Sequence, residues 1–328
     1  MFFLRASIFF VSAPEPRRVT RAGRIIAGNL RVDWATAEVL RAFRASGVES
    51  VLLKGASVAR WLHEADDPRP YNDCDLLVRP LDLSTAEKVL LGLGFESGLN
   101  RHEMPDWWQE HAVGWGRRAD GAVMDLHRAV PGLGVDPDEQ WLRLSENTEP
   151  IVIADFEARA LTIPGRAFLL ALHAAHHGVG WGRVLTDLER GLASADRAAW
   201  TAAAELASAL DAMPAFTTGL RLVPAGSALV RELELPTDSS AEAVLKASAP
   251  PPIALGFDQL ERAENWRARA RILRHKAVPP VTFMRAWSIA QWGQIHLIRA
   301  YIVRPFWLLA KAPAGFRAWH EARRATQR

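Results

Sequence analysis

The run Tyr71-Asn72-Asp73-Cys74-Asp75-Leu76-Leu77-Val78 constrains the fold of this chain more than any other segment, because it sets two carboxylates one residue apart at the head of an apolar stretch. Residues i and i+2 of a β-strand share a face, so a strand over residues 73–78 projects Asp73 and Asp75 together while Cys74, Leu76 and Val78 pack into a sheet. Neighbouring like charges repel unless a cation lies between them, and a bound divalent metal is the simplest such cation at the edge of a core strand. The segment therefore predicts a buried sheet with phosphate chemistry at its rim.

The flanking sequence supplies the rest of such a unit. Residues 32–45 have helical spacing through Ala35, Val39, Leu40 and Phe43, with Gly47 as the stop. Residues 48–53 read as a strand, residues 55–64 as a helix, and Asp66-Asp67-Pro68-Arg69-Pro70 as a loop. A helix over 84–93 closes at Gly94. Two strands, 112–115 and 123–130, flank the turn residues Ala119-Asp120-Gly121, and the second places Asp125 and His127 on one face. Residues 151–163 suggest a short hairpin, and beyond Pro164 the pattern turns helical over 168–177, 184–193 and 198–213.

The Pro/Ser-rich stretch 235–252 is the clearest internal break, and two or three helices rich in Arg and Trp follow it. The expected organisation is a poorly ordered leader over 1–24, a catalytic domain over 25–163, a helical domain over 164–235, a loop over 236–252 and a C-terminal helical region over 253–328. An upstream start codon is a further reading of the leader, whose apolar run is interrupted by Arg5. The fold class expected is α+β, a small mixed sheet with flanking helices followed by helices alone.

At 49% hydrophobic and 23% charged residues the chain is an ordinary globular protein. The net charge of +3 suits anionic ligands, and the absence of a continuous Lys/Arg stripe with interleaved aromatics argues against nucleic acid as a partner. The single cysteine, Cys74, excludes an intrachain disulfide and sets a cytoplasmic location as the default. The apolar segment 287–310 carries His296, Arg299 and Arg304, which exclude a spanning helix and leave an interfacial one open.

Lys54-Gly55 after an apolar strand, Arg69, then Asp73-Cys74-Asp75-Leu76-Leu77-Val78 and Asp125-Leu126-His127 resemble an uncharacterised nucleotidyltransferase family of the polymerase β-like superfamily. The likeness runs over roughly residues 30–195, through His173, His176, His177 and Asp187. The resemblance implies an N-terminal polymerase β-like nucleotidyltransferase domain and transfer of a nucleoside monophosphate from a triphosphate, ATP by family habit, to an acceptor with release of pyrophosphate. It also implies two Mg²⁺ ions, with Asp73 and Asp75 as ligands and Asp125 completing the acceptor-side metal and accepting the hydroxyl proton. Lys54, Gly55, Ser57 and Arg69 are the expected triphosphate-binding residues: Gly55 by close backbone approach, Ser57 by its hydroxyl, Lys54 by charge and Arg69 by its planar fork. The superfamily usually carries Gly-Ser or Gly-Gly where this chain has Gly55-Ala56, which keeps open a nucleotide-binding or regulatory protein without turnover.

Other residues admit two readings. His127 suits a hydrogen-bonded supporting role better than a metal ligand. His173, His176 and His177, at i, i+3 and i+4, either bridge the helical part to the sheet, line the nucleotide cleft, or hold zinc for a metal-dependent hydrolase. Asp187 is expected to pair with Arg183 and Arg190 on its own helix, while Trp107, Trp108, Trp115 and Trp181 either stack on a base or an aromatic acceptor or, the favoured reading for any one of thirteen tryptophans, pack in the core. The acceptor is a small metabolite, a sugar, an antibiotic or a protein side chain.

Overall fold

A computed structural model describes residues 20–64, 66–97, 111–251 and 253–326. The chain opens with α1 (Arg21–Ala45), whose N-terminus is closed by Thr20, its hydroxyl accepting from the Gly23 N–H at 3.0 Å. Ala35, Val39, Leu40 and Phe43 are all buried, as their spacing predicts. The helix starts well before the expected residue 32 because local capping, rather than an apolar stripe, sustains its first turns. Most of the expected leader lies outside the described residues, and its last four form the start of this helix.

Among the described residues seven strands follow in one mixed sheet: β1 (Ser50–Leu52), β2 (Cys74–Val78), β3 (Glu96–Ser97), β4 (Ala112–Arg117), β5 (Ala122–His127), β6 (Thr148–Ile153) and β7 (Phe156–Leu161). Their order across the sheet is β3-β4-β5-β2-β1-β7-β6, with β2/β5 and β1/β7 parallel and the other pairs antiparallel. Helices α2 (Ala56–Leu62), α3 (Leu83–Gly92) and α4 (Pro137–Glu146) are interspersed.

Strand alternation divides the core in two. Leu52, Leu76, Val78, Met124 and Leu126 pack with Val39, Phe43 and Leu90 on the side of α1 and α3. Val51, Leu53 and Leu77 point the other way, onto Phe168 and Leu170 of α5 (Ile163–His177). Asp75, Asp125 and His127 have the parity of Leu77 and therefore lie on the α5 side.

Helix α5 is the centre of the helical part, packed by α6 (Gly182–Ser194), α7 (Arg197–Ala209) and α8 (Met213–Leu220), with α9 (Pro224–Glu232) behind them. Gly219 permits the α5/α8 crossing, since a Cβ there would stand 1.8 Å from the Ala171 carbonyl oxygen. The stretch 236–252, expected to be one loop, contains α10 (Ala241–Ala247). Ser240 caps it by accepting from the Ala243 N–H at 3.1 Å, and its Leu245 is fully buried, so seven residues suffice once tertiary contacts hold them. Among the described residues four helices follow rather than two or three: α11 (Ala254–Arg262), α12 (Trp266–Ala277), α13 (Val281–Trp292) and α14 (Leu297–Ala325). Among the described residues no helix is long and apolar enough to cross a membrane.

Candidate active site

The site is assembled by register. Parallel pairing of β2 with β5 sets Asp75 opposite Asp125 and Leu77 opposite His127. Antiparallel pairing of β4 with β5 sets Gly114 beside Asp125, and a Cβ on Gly114 would be 3.4 Å from the Asp125 Oδ1, so the glycine leaves room for that carboxylate. Asp75, Asp125 and His127 each present a ligand atom, all within 4.8 Å of one another. Among the described residues this is the one grouping of three metal-ligating side chains, and Asp73, which flanks β2, lies outside it.

Asp75 is the electrostatic centre. It is buried, and its Oδ1 receives the Lys54 ammonium at 3.0 Å and the His127 Nε2 at 2.9 Å. Burial alone would raise its pKa, but Lys54 and the His127 hydrogen bond outweigh it and hold Asp75 well below the ordinary carboxylate range. A carboxylate only accepts, so the His127 Nε2 carries the proton, and its buried Nδ1 has no partner among the described residues. Asp73 and Asp125 move the opposite way, both raised first by burial and then by the charge of Asp75.

These groups form one wall of a cavity of about 180 Å³ between the sheet and α5. His111, Val130, Leu172, His173, His176 and His177 supply other parts of its lining. The His173 and His177 rings meet edge to face at 4.5 Å, His176 and His177 at 4.9 Å, and His111 lies 5.6 Å from His176. Burial lowers the pKa of all four, to about 4 for His111 and about 3 for His176, so the cavity is lined by neutral imidazoles. The three α5 histidines thus line a cavity between α5 and the sheet. A second cavity of about 370 Å³ shares Pro131, Leu172 and His176 with the first and continues to Asp211, Lys246 and Arg262.

The expected phosphate residues are distributed differently. Lys54 reaches the site and is paired with Asp75. Gly55 heads α2 at φ +70°, and a Cβ there would come 3.3 Å from the Asp73 carbonyl oxygen, so the turn and the acidic strand touch through backbone. Ser57 is fully buried with its hydroxyl on the Leu53 carbonyl at 3.3 Å, tying the turn to β1. Arg69 is engaged elsewhere, its Nε and Nη2 gripping Asp187 at 2.9 and 2.7 Å.

The intrahelical pairs expected of Asp187 are therefore replaced by a pair with a residue distant in sequence. Its side chain points from α6 toward the 66–70 loop, with His63 at 3.5 Å, and Arg190 pairs with Asp67 at 2.7 Å. Burial drives the exchange: Asp187 is 1% exposed and needs a bidentate partner. Trp115 is buried in the sheet core, Trp181 is exposed 4.9 Å from His177, and Trp107 and Trp108 fall outside the described residues. His111 was not legible beforehand, for it lies in no periodic segment, and only the neighbouring Ala112–His127 pairing carries it to the site.

Two paired carboxylates, a cation and a hydrogen-bonding imidazole thus share one wall of the cavity, and Asp75, Asp125 and His127 are placed so that they could hold a metal ion. Residues 16–225 match the family described as uncharacterised nucleotidyltransferase, and the chain belongs to that family. No curated protein matches it. Among solved structures, the antibiotic-resistance factor ANT(2'')-Ia is similar at 14% identity and TM-score 0.37, over 54% of this chain and 93% of that one. The lincosamide antibiotic adenylyltransferase LnuA, lincomycin-bound, is similar at 13% and 0.33, over 48% and 94%. An antigenic nucleotidyltransferase-like protein from Paracoccidioides brasiliensis is similar at 13% and 0.33, over 57% and 93%.

Proposed function

We propose that this chain transfers a nucleoside monophosphate from a nucleoside triphosphate, with ATP as donor, to a hydroxyl group of a small acceptor seated in the histidine-lined cavity. The observation that carries this reading is the in-register Asp75/Asp125 pair on adjacent parallel strands at the cavity wall. The donor set fits Mg²⁺: Asp75 and Asp125 offer hard oxygens, while the His127 Nε2 is engaged as a hydrogen-bond donor to Asp75. Bound there, the metal would neutralise the phosphates and polarise the α-phosphorus.

The acceptor oxygen bonds to the α-phosphorus as the bond to the β-phosphate oxygen breaks, and pyrophosphate leaves with the electron pair. Asp125, beside the cavity, takes the hydroxyl proton. Asp75 stays ionised through Lys54 and His127. The neutral histidines orient the acceptor by hydrogen bonding and, with Val130 and Leu172, exclude water from the pyrophosphate-releasing step. Labelled triphosphate with an acceptor panel tests the reading: wild type transfers label, and transfer that persists in the Asp75→Asn/Asp125→Asn variant sinks it.

A second reading, nucleotide binding without turnover, draws on the pairing of both expected phosphate cations, Lys54 with Asp75 and Arg69 with Asp187. Calorimetry separates the two. Mg²⁺-dependent triphosphate binding with no pyrophosphate release across the panel would select it.

A further inference from the structure

The C-terminal helices carry a surface that nucleotidyl transfer does not use and that lies beyond residue 225, where the family match ends. On α14, Ile298, Ile302, Phe306 and Leu309 are 81%, 60%, 68% and 71% exposed, and Phe316 continues the series. At 3.6 residues per turn these five positions fall within an arc of about 80° and run for about 27 Å. The buried residues of α14, Ala300, Arg304, Gly315 and Ala322, lie on the opposing side. That side is fixed to the body, since Arg304 stacks over Phe283 at 4.7 Å and its Nε donates to the Lys276 carbonyl at 3.2 Å. A helix packed by one face would ordinarily turn polar side chains outward, and this one turns out an apolar ridge.

The charge around the ridge is predominantly positive. Residues 264–326 hold ten arginines and two lysines against two glutamates, net +10, while the whole chain is +3, which leaves −7 for everything else. Arg299 and Arg317, both exposed, lie about 100° round the helix from Ile298, beside the ridge. Arg267, Arg269 and Arg271 are exposed on α12, which begins at Trp266, itself 72% exposed.

We propose that α12 and α14 dock this protein on an anionic lipid surface, with the Ile298–Phe316 ridge entering the acyl boundary and the arginines on the headgroup phosphates. An aliphatic ridge flanked by exposed arginines is what an interface of anionic headgroups over hydrocarbon accommodates. A nucleic acid would engage the arginines and leave the Ile and Leu side chains in water, and a second copy of the chain would bring one +10 surface against another.

The test is co-sedimentation of the full chain with phosphatidylcholine vesicles with and without phosphatidylglycerol, together with quenching of tryptophan fluorescence by brominated acyl chains. Wild type should partition to the anionic vesicles roughly tenfold better than to the zwitterionic ones, with quenching and with loss of binding as salt rises. Ile298→Gln/Ile302→Gln/Phe306→Gln should abolish quenching, and Arg267→Gln/Arg269→Gln/Arg271→Gln should weaken binding to anionic vesicles alone. Both alter exposed side chains, and unchanged circular dichroism and melting establish that they fold. Vesicle binding that ignores the ridge variant overturns the proposal. So does a salt-sensitive shift of RNA or DNA without vesicle partition, or a dimer in light scattering that the ridge variant returns to monomer.

Discussion

The His127 Nε2 lies 2.9 Å from the Asp75 Oδ1, two buried groups brought together from β5 and β2. The contact fixes the imidazole tautomer and, with Lys54, keeps Asp75 ionised where burial alone would neutralise it. His127→Ala should therefore weaken divalent-metal binding and transfer by ~10–100-fold while leaving the fold intact. Mn²⁺ titration followed by electron paramagnetic resonance reads the first effect independently of activity, and unchanged metal affinity would refute the role.

Arg69 and Asp187 make a buried bidentate pair. Arg69→Ala strands a carboxylate that is 1% exposed, so the variant should lose about 3–5 kcal/mol of stability. Urea unfolding measures this. A variant with native stability but weakened triphosphate binding would instead assign Arg69 to the nucleotide.

Gly55 sits at φ +70° with the Asp73 carbonyl oxygen 3.3 Å from where a Cβ would be. Gly55→Ala should cost about 1–3 kcal/mol in backbone strain and displace the acidic strand. Metal affinity should fall along with the midpoint of denaturation, and a variant as stable as wild type would contradict the constraint.

The cavity histidines make stability depend on pH. His111 and His176 have folded pKa values of about 4 and about 3 against an ordinary 6.5, so below pH 6.5 the unfolded chain binds protons that the native one does not. Their neutral burial is without penalty above pH 6.5, and stability falls as pH drops from 6.5 toward 4, by at most about 1.4 kcal/mol per unit for each histidine. Melting temperature followed across that window should decline, and His176→Asn should flatten the decline. A slope unchanged in that variant would remove His176 from the account.

Much of this protein is legible along the chain. Alternation at Cys74, Asp75, Leu76 and Leu77 fixes which side of β2 faces which core, and the Ala35, Val39, Leu40, Phe43 spacing fixes the buried face of α1, because both periods are set by local backbone geometry. The strands carrying Asp75 and Asp125 are read on the same basis, whereas Asp73, read with them, lies outside the group that Asp75, Asp125 and His127 form. Capping at Thr20 and at Ser240, by contrast, extended α1 and created α10 where apolar spacing alone predicts neither.

What only the tertiary structure decided are the partnerships between distant segments. Asp75 meets Asp125 through strand register, Arg69 turns to Asp187, and His111 joins His176 over one cavity. Sequence supplies each residue's chemistry, but burial decides its partner. A charge taken out of water accepts the nearest group that can satisfy it, and which group is nearest is a property of packing.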